Sequence, residues 1–228
     1  MAPMPDALLR RCLEVFGCDF YLAFGQTEMS PVTTVFRPEH QLSHPGAVGT
    51  GIVNVQIAIM GPDGALLPPG QEGEIVYRGP QALTGYLKNP EATAEAFAHG
   101  WFHSGDSGRL AEDGMLWFSD RYKDVIKSGG ENVASIEVEK ALYAADERIA
   151  DVAVIGLPHP RWSEAITAVV VPKPGESLDE ASLLAAARHN LAGFKAPKAV
   201  IVVDELPKTS TGKIQKNLVR GQFADFYR

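Results

Sequence analysis

Asp120-Arg121-Tyr122-Lys123-Asp124 separates two stretches of chain that are patterned differently. From about residue 45 to 120 the pattern is β. Val53-Asn54-Val55-Gln56-Ile57-Ala58-Ile59 alternates with period two, Gly61-Pro62-Asp63-Gly64 is a turn, and Gly73-Glu74-Ile75-Val76-Tyr77-Arg78-Gly79 is a further strand. Asn89 to Phe97 reads as a short helix because Pro90 suits a first turn. Met115-Leu116-Trp117-Phe118 follows the Glu112-Asp113-Gly114 turn as another strand. Beyond Asp124 the pattern becomes α+β. Ser135 is placed to cap a helix in which Val138, Ala141, Leu142 and Ala145 keep i, i+3, i+4, i+7 spacing. Strands are expected at 150–156 and 165–172. Ser177 and Glu180 form a capping box for a helix to about Leu191, with Gly193 as its terminator.

The two ends complete the pattern. Residues 5 to 16 predict a helix, since Leu8, Leu9, Leu13 and Phe16 share a face, and residues 20 to 24 predict a short strand. Near the other end, the β-branched run Ala199-Val200-Ile201-Val202-Val203 leads into Pro207-Lys208-Thr209-Ser210-Thr211-Gly212-Lys213-Ile214. A short helix to Phe223 follows.

The 228 residues allow one or two domains, and 45% hydrophobic content is ample for a core. A net charge of −7 without a basic run argues against a general nucleic-acid or membrane-surface binder, though not against a nucleotide ligand. Apolar stretches such as Ala165 to Pro172 are strand-sized, and Leu8-Leu9 is followed at once by Arg10-Arg11, so neither a membrane span nor a signal peptide is read. Cys12 and Cys18 are too few for a disulfide framework, and the six histidines show no metal-ligand spacing. A cytoplasmic protein is expected.

Three loops carry groups suited to phosphate and ribose chemistry. In Phe24-Gly25-Gln26-Thr27-Glu28, the glycine permits close backbone approach. The Thr27 hydroxyl can bond a phosphate oxygen, and the Glu28 carboxylate can hold the Mg²⁺ that accompanies ATP. The bland alternative is a helix start capped by Thr27. In Ser104-Gly105-Asp106, the carboxylate can accept two ribose hydroxyls, although Ser-Gly-Asp alone is most often a turn. Lys213, on its hydroxyl-rich loop, is a movable positive charge able to reach a phosphate or carboxylate.

In order, Phe24-Gly25-Gln26-Thr27-Glu28, Gly73-Glu74-Ile75, Ser104-Gly105-Asp106, Asp120-Arg121-Tyr122-Lys123-Asp124 with Ser128-Gly129-Gly130-Glu131-Asn132, and the Lys213 loop resemble the C-terminal half of an AMP-forming acyl-CoA synthetase of the adenylate-forming superfamily. The resemblance runs from Ala2-Pro3 to about Arg220. It implies a mixed α/β and α+β fold. Residues 1–120 would be part of a large AMP-binding lobe with a β-rich, distorted-barrel subdomain, 121–123 a hinge, and 124–228 a small mobile α+β lobe. The family's Ser/Thr/Gly-rich phosphate loop ending in Pro-Lys-Gly has no counterpart in this sequence. The resemblance therefore reads the chain as a fragment, lacking an N-terminal portion and inactive alone.

The implied activity joins a carboxylic acid, expected to be a medium- or long-chain fatty acid, to CoA through acyl-AMP, with ATP, CoA and Mg²⁺. An aryl or small acid is the alternative, and a non-catalytic nucleotide- or partner-binding module is the rival class. The resemblance assigns Lys213, Thr27 and Glu28 to catalysis, and Glu28 to the metal. Gly25, Gln26, Thr27, Asp106 and Arg121 go to the nucleotide, and Lys123 to the hinge. Gly129, Gly130, Glu131, Trp162 and Phe194 go to CoA, with core packing the alternative for the last two. Ala196 departs from relatives that carry a basic residue, and Lys195 or Lys198 could substitute for it.

Overall fold

The computed structural model describes Met4 and residues 6–228 apart from Thr211, and all side chains of these except those of Asp6 and Ala7. Of the opening Ala2-Pro3-Met4-Pro5, only Met4 is among them. The chain forms two compact units, Met1–Tyr122 and Lys123–Arg228.

The first unit opens with helix α1 (Asp6–Phe16). Strands β1 (Leu22–Gly25) and β2 (Val32–Phe36), helix α2 (Pro38–Gln41), and strands β3 (Gly49–Gly51), β4 (Gln56–Met60) and β5 (Glu72–Arg78) follow. Helix α3 (Pro90–Ala96), β6 (Phe102–Leu110) and β7 (Met115–Arg121) complete it. Asn89 caps α3 by accepting the Ala92 amide at 3.1 Å, and Pro90 sits in the first turn, where its missing N–H costs nothing. The seven strands form one antiparallel sheet in the order β1-β2-β3-β7-β6-β5-β4. The pairing runs open from β1 to β4, so the distorted barrel expected from the sequence is an open sheet. Ile59, Ile75, Tyr77, Phe102 and Leu116 pack with Phe24 and Met29 into its main core.

The second unit contains β8 (Ile126–Ser128), β9 (Glu131–Val133), α4 (Ser135–Ala145), β10 (Ile149–His159), β11 (Ser163–Pro172), α5 (Glu180–Asn190), β12 (Ala199–Val202) and α6 (Lys216–Gln222). Its sheet runs β10-β11-β8-β9, with β12 parallel to β11. Alternate residues of the central strands face different cores. Val152, Val154, Ile166 and Val170 pack with Val138 and Leu142 of α4 and Leu183 of α5. Ala153, Ile155, Val169 and Val171 pack with Leu206 and with Val219 of α6. A sheet buried on both faces favours apolar residues at successive positions, which explains the run 165–171, interrupted only by buried Thr167, whose hydroxyl is bonded to the Ala165 carbonyl and the Tyr227 hydroxyl.

Three local expectations are corrected. Ser135 does not cap α4; Ala134 holds that position, while Ser135 is buried and its hydroxyl receives Lys216 Nζ at 2.5 Å. Asp179, rather than Ser177, caps α5, taking the Ser182 amide at 2.8 Å; a carboxylate one residue before the helix has the better reach to its free N–H groups. Gly193 does not terminate α5, which ends at Asn190 with Leu191 in extended conformation.

Candidate active site

Within the first unit, β1 delivers Gly25 into a tight corner. A Cβ there would lie 2.1 Å from the Pro31 carbonyl oxygen and 2.8 Å from the Thr33 nitrogen, so only glycine fits. A single 3₁₀ turn, Thr27–Met29, follows. Its cap position is Gln26, in extended conformation, and no side chain caps it. The bland reading of Thr27 as a helix cap therefore fails, and the Thr27 side chain is exposed with no hydrogen bond among the described residues. The turn is clamped from behind. Gln81 Nε2 donates to the carbonyls of Met29 (2.7 Å) and Val32 (2.6 Å), and the Leu83 amide donates to the Glu28 carbonyl at 2.7 Å. Glu28 is half-buried. Its carboxylate meets only the Tyr86 hydroxyl, at 3.4 Å, and no basic group among the described residues.

Asp106 and Arg121 are direct partners across β6 and β7. Arg121 Nε lies 3.1 Å from Asp106 Oδ1. Oδ1 is buried and accepts no properly aligned hydrogen bond, so the contact is a charge contact that leaves acceptor capacity unspent. Burial pushes the Asp106 carboxyl above its ordinary value; Arg121 pulls it back, while Glu74 and Asp120 add to the rise. Ser104-Gly105 lie within β6 rather than in a turn, where its register with β5 shifts, and this stretch is stapled. Glu74 Oε1 accepts the Gly105 amide at 2.9 Å, and Oε2 meets His103 Nδ1 at 2.8 Å. His103 Nε2 faces the Ala98 carbonyl at 3.1 Å. Both ring nitrogens thus face oxygen atoms that accept hydrogen bonds. Thr33 Oγ1 donates to the Phe24 carbonyl at 3.1 Å, and the buried Tyr77 hydroxyl stands beside Thr33 and Asp106, its ionisation pushed up by burial. Sequence reading assigned no role to Glu74, Gln81 or Tyr86. Glu74 sat inside a quoted motif, yet its partners are about thirty residues away.

In the second unit, Gly129 and Gly130 form the two-residue turn of the β8–β9 hairpin, with φ of 64° and 90°. This is the left-handed region that hairpin turns demand. A Cβ on Gly130 would meet nothing within 4 Å, so inside this unit the backbone conformation, rather than space, calls for glycine. Gly129 donates its amide to the Trp162 carbonyl at 2.9 Å. Trp162 stacks on His159 with centroids 4.4 Å apart, and Lys198 Nζ lies 5.1 Å from its ring. Burial, helped by Arg188, holds the Lys198 ammonium below its ordinary value. Lys195 pairs with Glu137 at 2.7 Å and lies by the ring of Phe194, which is 46% exposed. Glu131 is exposed beside the glycine pair. Lys123 is exposed at the start of the unit, next to buried Asp124.

Lys213 stands on the loop joining β12 to α6. Thr209 and Lys213 close it: the Thr209 amide donates to the Lys213 carbonyl at 2.8 Å, and the Lys213 amide donates to Thr209 Oγ1 at 3.2 Å. The Lys213 side chain is exposed and forms no ion pair among the described residues. The loop's Thr211 lies outside the described residues.

These geometries sit on a chain that belongs to the AMP-binding enzyme family. The family's sequence models match residues 1–87 as AMP-binding enzyme and 137–213 as AMP-binding enzyme C-terminal domain. The chain is 44% identical over 222 residues to a feruloyl-CoA synthase of Amycolatopsis, covering 97% of this chain and 45% of that protein. It is 36% identical to a long-chain-fatty-acid–CoA ligase of Mycobacterium tuberculosis, covering 98% and 44%. The o-succinylbenzoate CoA synthetase of Bacillus subtilis, solved with the acyl-adenylate intermediate OSB-AMP, superposes with a TM-score of 0.88 at 30% identity, covering 99% of this chain and 45% of that one. The chain thus spans just under half the length of the relatives it matches. Among the described residues, no helix is long and apolar enough to cross a membrane.

Proposed function

We propose that this chain is the carboxy-terminal portion of an AMP-forming acid–thiol ligase. The observation that carries the proposal is the buried Asp106 carboxylate, held beside Arg121 with acceptor capacity unspent. It suits a diol such as the AMP ribose, whose two hydroxyls would donate to it. In the first step a substrate carboxylate oxygen attacks the α-phosphorus of ATP, and the bond to pyrophosphate breaks. Lys213 neutralises the charge shared by carboxylate and phosphate, and Thr27 donates to a phosphate oxygen. In the second step the CoA sulfur attacks the acyl carbonyl of acyl-AMP, AMP leaves with the bonding pair, and the thiol proton is released.

Glu28 suits Mg²⁺, because its hard oxygens meet no basic group among the described residues and the remaining ligands can come from phosphates and water. The ion would supply charge neutralisation at the phosphates. Gly129, Gly130, Glu131, Trp162 and Phe194 are assigned to the pantetheine and adenine of CoA, with Lys198 and Arg161, 5.1 and 5.4 Å from the Trp162 ring, as basic residues beside it. Lys123 serves as the hinge.

The acid is assigned to the aryl or small-acid class in preference to a medium- or long-chain fatty acid. Identity to the feruloyl-CoA synthase is 44% over 222 residues and to a butyrate–CoA ligase of Arabidopsis thaliana 49% over 151 residues, against 36% over 223 residues to the long-chain fatty-acid ligase. A longer protein carrying this chain is expected to form thioester faster with ferulate or butyrate than with palmitate, and the opposite order overturns that choice. For the chain itself, fusion to the amino-terminal part of the feruloyl-CoA synthase is expected to restore ATP–pyrophosphate exchange, abolished by Asp106→Ala. A folded fusion without exchange overturns the ligase reading.

A further inference from the structure

Helix α6 begins three residues after Lys213 and sends two cations to different parts of the second unit. Lys216 Nζ lies 2.7 Å from Glu139 Oε1 of α4 and 2.5 Å from Ser135 Oγ. The Lys216 and Glu139 side chains are only 14% and 15% exposed, and the same Glu139 oxygen accepts the Val154 amide at 2.9 Å. One turn further on, Arg220 Nη2 lies 2.5 Å from Asp124 Oδ1 and 3.4 Å from the Lys123 carbonyl oxygen. Residues four apart on a helix share a face, so the two contacts fix both the rotation and the axial position of α6.

The loop ahead of the helix is tied to the same frame. The Gln215 amide donates to the Pro207 carbonyl at 2.8 Å, and Lys208 pairs with Asp151 of β10 at 2.6 Å. Lys213 projects from between these anchors. Apolar packing also holds α6 to the unit. Val219 is fully buried in the second core, with Phe223 and Tyr227 packed against it. Neutralising Lys216 or Arg220 therefore frees the helix to slide or rotate while it stays attached.

We propose that Lys216 and Arg220 are positioning residues, and that α6 is a strut setting the backbone of the Lys213 loop relative to Lys123–Asp124. The proposal rests on the adenylation role given above to Lys213 and the hinge role given to Lys123. A reacting charge displaced by about 1 Å costs rate steeply, on the order of 10²-fold. A rigid link from the pivot to the lysine would carry each turn of the pivot to the loop without slack.

The test uses two readouts. In the 228-residue chain, amide exchange at Thr209, Gly212, Lys213 and Gln215 is measured for wild type, Lys216→Met, Arg220→Leu and Glu139→Gln; the last keeps an acceptor for the Val154 amide. Exchange at these four amides is expected to quicken in every variant and to return to the wild-type rate in Lys216→Arg. In the fusion described above, acyl-AMP formation is expected to fall roughly 10- to 100-fold in Lys216→Met, mainly in kcat. Conversion of supplied acyl-AMP to thioester is expected to stay near wild type. Unchanged exchange at the loop, or equal loss in both half-reactions, overturns the strut. If Lys213→Ala leaves acyl-AMP formation intact while Lys216→Met quickens exchange, the strut stands and the role given to Lys213 falls.

Discussion

Glu74 and Gly105 are joined across neighbouring strands, the Glu74 carboxylate accepting the Gly105 amide at 2.9 Å and so holding the irregular stretch of β6 that presents Asp106. Replacing Glu74 with Leu strands that amide and His103 Nδ1 in a part-buried site. A loss of about 1–3 kcal/mol in stability is expected, the cost of a buried donor without a partner. Glu74→Gln keeps an acceptor for Gly105 and is expected to recover most of it. Urea unfolding of the three proteins decides the matter; equal stabilities would show that the staple contributes nothing.

Asp106 gives a pH dependence of defined sign. Its folded carboxyl is raised above the ordinary value, chiefly by burial. The folded state therefore binds this proton more tightly than the unfolded one. Stability contributed through Asp106 falls as pH rises from the unfolded value, about 3.9, through the higher folded value. At neutral pH the buried carboxylate is a cost to folding. Asp106→Asn is expected to match or exceed wild-type stability at pH 7 and to flatten this part of the profile, at the expense of nucleotide binding. A variant clearly less stable at pH 7 would mean that the Arg121 contact outweighs burial.

Gly130 separates backbone from space. At φ 90°, any other residue is strained by roughly 1–2 kcal/mol. Ala and Leu are expected to lower stability about equally, because a Cβ meets nothing within 4 Å. If the turn lines the thiol path, Gly130→Leu slows thioester formation far more than Gly130→Ala, while pyrophosphate release stays level. Parallel losses in both assays would leave the glycine with its backbone role alone.

Lys213→Ala, in the fusion with an amino-terminal half, is expected to reduce acyl-AMP formation by roughly 10² to 10³ or more, the scale of a lost electrostatic contact in a transition state. Melting temperature should not move, because the side chain is exposed. Supplied acyl-AMP should still be converted to thioester. Stopped-flow measurement of each half-reaction checks this, and equal impairment of both would assign the lysine a structural task.

Much of the molecule follows from local residues. The Gly129-Gly130 turn and the Asn89-Pro90 helix start each satisfy a backbone requirement within a few positions, so short-range chemistry settles them; of the expected strand 53–59 only the part from Gln56 pairs, Val53-Asn54 turning instead. The motif series from Gly25 to Lys213 also marked the family by order and residue type alone. Other features depend on neighbours distant in sequence. Ser135 looked like a cap, yet folding buries it and brings Lys216 to its hydroxyl, 81 residues away. Glu74 acquires Gly105 and His103, and Asp124 acquires Arg220, only once strands and helices have docked. The β-rich segment could have closed into a barrel or stayed open; its sheet stays open, with β1 and β4 at opposite edges. Register and sheet order are cooperative properties, chosen by which faces can be buried together, and no local window contains that information.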